Sequence, residues 1–314
     1  MAKAKQAPVI TSTADLYEWA AEVLRLRFDE VVSFGGAVTV AWNVNGVHDM
    51  RVALRRLRTA LRDFVQVIDS KSLKRVKDDL KKIADSLGEV RDLDVAIIAL
   101  EDLSRETDDD AIKTGIAALS EELRTSRENA HARAQKTLVS ISVKNLRDRF
   151  SRRIDDSLRQ QELFRPANLA EMGSGVIESR LQDISLLGVA IYMPFDGLRL
   201  HDLRIAAKRL RYAIELFGPG WTEEIGGFAK EISKLQSYLG EVHDCDLWIN
   251  KLSGRLTQKD SRKPSNASIT LASAWLLSRF VEKRGKEYCK AVDLWREWNT
   301  NDFTGKLRTA IARA

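Results

Sequence analysis

Two segments of this sequence each set a histidine and three cations along one line of a helix. The first, Val47–Arg58, reads V-H-D-M-R-V-A-L-R-R-L-R, and the second, Leu200–Arg211, reads L-H-D-L-R-I-A-A-K-R-L-R. At about 100° per residue, His48, Arg51, Arg55 and Arg58 fall within an arc of about 80°, as do His201, Arg204, Lys208 and Arg211. Arginine offers a planar fork of donors that fits phosphate oxygens, and lysine adds a point charge. Histidine donates a hydrogen bond and gains a proton beside an anion. A solvated helix face normally mixes signs, yet these four positions hold no acid in either copy. The stripe runs for about 15 Å. Its chemistry is anion binding.

More cations recur at nearly the same offset. Lys82 matches Lys234, Arg91 matches His243, Arg127 matches Arg279, and His131 matches Lys283. Arg56 and Arg209 lie off the stripe and read as surface ion-pairing residues. Asp49 and Asp202 complement the dipole of a first helical turn. Asp92, Asp94, Asp244 and Asp246 do the same one helix later, or orient Arg and His donors. The pairs His48-Asp49, His201-Asp202 and His243-Asp244 raise a metal-dependent phosphohydrolase as an alternative. Against it, adjacent helical side chains diverge by about 100°, and the cations would repel a divalent ion. Neither a carboxylate cluster nor a His-x₃-His pair is present. No catalytic residue, metal ligand or cofactor is therefore expected, and no G-x-x-x-x-G-K-[ST] loop occurs. General nucleic-acid or polyanion binding is the other alternative. The stripes lack aromatics for base stacking, Tyr212 being the nearest, so the pattern favours a phosphate chain without bases.

The elements that must carry these residues are helical. In 314 residues there are only five prolines, 44% hydrophobic residues and a net charge of +6, which favours helix, a packed core and anionic partners. Met50, Leu54, Leu57, Leu61 and Phe64 flank the first stripe as a core-facing arc, as Leu203, Ala207, Leu210, Ile214 and Phe217 flank the second. Gly88 and Gly240 read as helix ends, Asn43–Gly46 as a turn, and Gly35-Gly36 as a loosening of the first helix. Cys245 and Cys289 build no disulfide framework, and no signal peptide or membrane span is legible, so a soluble cytoplasmic protein is expected. The repeated motifs indicate an all-α, internally duplicated chain of two helical bundles. Residues 1–14 are an N-terminal tail, 15–163 the first repeat, 164–168 a linker, 169–300 the second repeat and 301–314 a C-terminal tail.

The duplicated H-D-x-R-x₃-[RK]-R-x-R helix, with L-G-E-V-[RH]-D-x-D after it, resembles the CHAD domain, the conserved-histidine α-helical domain. The resemblance runs from about Asp15 to Trp298. It implies two four-helix bundles about a pseudo-twofold axis, with a basic central surface that binds inorganic polyphosphate and can direct the protein to polyphosphate granules. Carried onto this chain, it implicates His48, Arg51, Arg55, Arg58, His201, Arg204, Lys208 and Arg211, then Lys82, Lys234, Arg91 and His243. Arg127, Arg279 and Lys283 follow from the offset. The E-x-E-x-K signature of the catalytic triphosphate-tunnel domain joined to some relatives is absent, so binding without catalysis is expected. The sequence leaves the oligomeric state, including a homodimer, undecided.

Overall fold

The computed structural model describes residues 16–40, 44–65, 72–160, 169–218, 224–257 and 266–312. Within them the chain forms ten α-helices and one 3-10 helix, with no strand, so it is all-α. In order these are α1 (Leu16–Val40), α2 (Val44–Asp63), α3 (Lys74–Ser104), α4 (Asp110–Ser140) and α5 (Val143–Gln160). Then come α6 (Leu169–Leu187), the 3-10 turn Gly188–Tyr192, α7 (Gly197–Phe217), α8 (Glu224–Thr257), α9 (Ala267–Thr300) and α10 (Phe303–Ala312). Pro194, alone among prolines of the described residues, lies between helices, where its missing N–H breaks no ladder.

The chain divides into two compact units: residues 1–96 with 123–172, and residues 97–122 with 173–314. In unit 1, α1 packs on α2 and α5. Phe28 stacks on Phe150 at 4.6 Å between centroids, and Trp19 meets Phe64 edge-on at 5.6 Å. Met50, Leu54, Leu57, Leu61 and Phe64 are all buried. At about 1.5–3 kcal/mol for each large apolar side chain, that burial fixes the rotation of α2 and turns its cations away from the core. In unit 2, Leu203, Ala207, Leu210, Ile214 and Phe217 are likewise buried and set α7 the same way. At Gly115 of α4 an added Cβ would stand 2.1 Å from the Ser268 carbonyl oxygen and 2.6 Å from the Ala272 Cβ, so α4 and α9 touch backbone to backbone there.

Several boundaries differ from the sequence reading. Helix α1 continues through Gly35, and Val44–Gly46 already belong to α2 rather than to a turn. Gly88 and Gly240 lie inside α3 and α8 instead of ending them. Residues 303–312, expected within a tail, form α10, whose Phe303 stacks on Trp298 at 4.1 Å. The expected linker 164–168, the helix start at Thr11–Thr13 and residues 313–314 of the expected tail lie outside the described residues. Among the described residues no helix is long and apolar enough to cross a membrane.

Candidate anion-binding faces

In unit 1, α2 and α3 gather the cations. Arg51, 24% exposed, carries its guanidinium across α3 at Gly88, where an added Cβ would lie 2.6 Å from Nη1. That crossing explains a glycine in mid-helix, a position that costs about 0.5–1 kcal/mol relative to alanine. Asp92, one turn further along α3, stands 3.5 Å from Arg51 Nη2. Burial lowers the pKa of Arg51 from its usual value, with Asp92 opposing. His48 is also lowered, first by burial and then by Arg91, with Asp49 opposing. Arg55, Arg58, Lys82 and Arg91 have no carboxylate within ion-pair distance among the described residues, and Arg58 and Lys82 are exposed. Arg127 differs: its Nε lies 2.5 Å from Oδ1 of Asp94, whose side chain is only 3% exposed. It is already committed to a buried carboxylate. Beside it His131 is lowered by burial and then by Arg127.

In unit 2, Asp196 caps α7 by accepting from the Arg199 N–H at 3.0 Å, which starts the helix four residues before His201. His201 and His243 of α8 face each other, Nδ1 to Nδ1, at 3.3 Å. Both are lowered from the ordinary histidine value, by burial first. The charges of Arg204 and Lys208 act on His201, so these four side chains share one locality. Arg204 approaches α8 at Gly240 more loosely than Arg51 approaches Gly88, with 3.8 Å between an added Cβ and Nη1. Arg211 donates to Ser233 Oγ at 3.0 Å and lies over Tyr212 at 4.7 Å. Tyr212 is buried, so the nearest aromatic of the stripe has no face open for a base.

The remaining candidates of unit 2 hold acids. Lys234 pairs with Glu231 at 2.7 Å, Lys283 with Glu241 at 2.7 Å, and Arg279 with both Glu106 and Glu282. Exposed pairs of this kind are weak and screened by salt, so a polyanion can displace the acids at little cost.

Sequence spacing missed Arg284. Its Nε lies 2.5 Å from Asp246 Oδ1, and its Nη2 donates to the Pro194 carbonyl at 2.6 Å, tying the segment before α7 to α8 and α9. Asp94 and Asp246, which the sequence motif aligns, each take an arginine from the following helix. The arginines are Arg127 and Arg284, 157 positions apart, rather than Arg127 and Arg279. No sequence signal separated Arg284 from its charged neighbours. Among the described residues no three His, Cys, Asp or Glu side chains are grouped so as to hold a metal ion.

Residues 22–253 match the family model of the CHAD domain. The fold is similar to the crystal structure of the CHAD domain from the plant Ricinus communis. That match has a TM-score of 0.73 and 22% identity over 93% of this chain and 95% of that one. It is also similar to PptA from Streptomyces chartreusis, with a TM-score of 0.62 and 16% identity over 90% of this chain and all of that one. No curated protein matches the chain.

Proposed function

The chain belongs to the CHAD domain family, and we propose that it binds inorganic polyphosphate, without turning it over, on the basic face of each unit. The observation that carries this reading is the set of four cations in unit 1, Arg55, Arg58, Lys82 and Arg91, with no carboxylate partner among the described residues. Crowded like charges repel, and a bound anion relieves that repulsion. Each phosphate contact is modest, but a polymer supplies many at once, so avidity exceeds any single contact. Binding of this kind weakens steeply with salt as counterions are released. On this reading the protein acts in the cytoplasm and collects on polyphosphate granules.

The test is a competition titration at physiological salt. Labelled long-chain polyphosphate is displaced by unlabelled polyphosphate or by single-stranded DNA of matched charge, while free phosphate is followed with Mg²⁺ or Mn²⁺ present. Preference for polyphosphate by orders of magnitude, with no phosphate released, is the expected result. Equal competition by DNA reduces the faces to a general polyanion surface. Phosphate release reinstates a metal-dependent hydrolase.

Gly88 supplies a sharper check on geometry. Gly88→Ala keeps every charge but denies Arg51 its path over α3, so affinity falls about tenfold or more, the value of roughly one charge-assisted hydrogen bond. Helix content by circular dichroism stays the same, because alanine suits a helix interior better than glycine. Unchanged affinity would mean that Arg51 reaches the ligand by another route.

A further inference from the structure

The protein has four histidines, and two of them face each other across α7 and α8. His201 and His243 stand Nδ1 to Nδ1 at 3.3 Å, with ring centroids 4.3 Å apart and planes inclined at 50°. A neutral imidazole has one donor nitrogen and one acceptor. At that distance one Nδ1 carries the proton and the other accepts it, so neither Nδ1 is offered to a ligand and only the Nε2 atoms remain. A second proton makes both Nδ1 atoms donors. The rings then part, and both N–H groups become available to one anion.

The surroundings hold the free pair in its neutral state. Burial first, then His243, Arg204 and Lys208 disfavour charge on His201, and Asp202 opposes them. On α8, burial first and then Arg204 disfavour charge on His243, while the Asp246 carboxylate favours it. From α9, Arg284 grips Asp246 through Nε at 2.5 Å and so counters that carboxylate. The matching position in unit 1 is different. Arg91 stands where His243 would, beside His48, and its guanidinium is charged at every physiological pH.

We propose that the His201–His243 pair is a proton-coupled phosphate subsite, which takes one phosphate group of the polymer together with one proton from solvent. Arg91 of unit 1 keeps its charge whether or not ligand is bound. The inference rests on the polyphosphate reading above. No bond to phosphorus forms or breaks; the proton moves from water or buffer acid to a ring nitrogen. A bound anion favours the charged pair, so the pair's pKa is higher in the complex than in the free protein. Affinity therefore rises as pH falls through the complex value and levels off below the free value.

The experiment is calorimetric titration of the full chain with long-chain polyphosphate at about pH 7, in two buffers of different ionisation enthalpy. Their difference counts the protons taken up. The wild type should take up about half a proton, and its affinity should rise about five- to tenfold between about pH 8 and pH 6, on the scale of one pKa unit. His243→Arg installs the permanent charge of unit 1, and both uptake and pH dependence should disappear. His201→Gln should abolish uptake as well, whereas His48→Gln should retain most of it. Comparing variants cancels the polymer's own terminal phosphates. Binding with no uptake, or with uptake unchanged in His243→Arg, overturns the inference and leaves the polyphosphate reading standing. A wild type that binds no polyphosphate at either pH overturns both.

Discussion

Alanine at Arg51, Arg55, Arg204 and Lys208 together lowers polyphosphate affinity about 10³-fold. Four charge-assisted contacts at about 1 kcal/mol each, after solvent screening, account for that factor. The loss comes without unfolding, because all four lie on the arc away from the buried Met50–Phe64 and Leu203–Phe217 stripes. Alanine is also the best helix former, so α2 and α7 keep their helicity. Calorimetry gives the affinity and circular dichroism the fold. If the four changes leave affinity within about a factor of two, less than one such bond, the ligand binds elsewhere. Paired variants within one unit, Arg51→Ala with Arg55→Ala or Arg204→Ala with Lys208→Ala, apportion the loss between units.

The second large effect is on stability. Gly115→Val drives a side chain into the Ser268 carbonyl, which even a Cβ would approach to 2.1 Å, and into Ala272. Backbone cannot yield as a side-chain tip can, so α4 must lift from α9. Overpacking of this kind costs about 3 kcal/mol, and the melting midpoint of the second unit falls by roughly 6–12 °C at that unit's size. Gly175→Ala is the control. Nothing lies within 4 Å of an added Cβ there, and the helix gains up to about 1 kcal/mol. A Gly115→Val protein melting within about 1 °C of wild type would mean that the two helices stand further apart in solution.

The all-α class and the rotation of α2 and α7 were legible because burial enforces the 3.6-residue period, and the arcs read from sequence are the buried arcs. Gly88 and Gly240 misled because glycine is poor inside a helix; at Gly88 the reason for it, the passage of Arg51, belongs to a neighbouring element, while at Gly240 an added Cβ would meet Arg204 only at the ordinary contact distance of 3.8 Å. Spacing aligned Arg127 with Arg279, but in the fold Arg279 pairs with Glu106, 173 residues away, and it is Arg284 that takes Asp246 as Arg127 takes Asp94. Helix α10 was there to be read. Phe303, Leu307, Ala310 and Ile311 keep i, i+4, i+7, i+8 spacing and are all buried, but so short a segment draws its stability from packing rather than propensity.

Residues 97–122 belong to the second unit although the ribosome makes them in the first half of the chain. Ser268, against which Gly115 packs, is 153 positions later. At about 5–20 residues per second, the segment waits about 10–30 s after its synthesis before that partner exists. Through this interval Ile112, Ile116 and Leu119, buried in the finished protein, stay in water. Biogenesis thus passes through a stage in which the first unit has all its residues and still carries a sticky helical tip owed to the second. That tip is where a chaperone would grip the nascent chain.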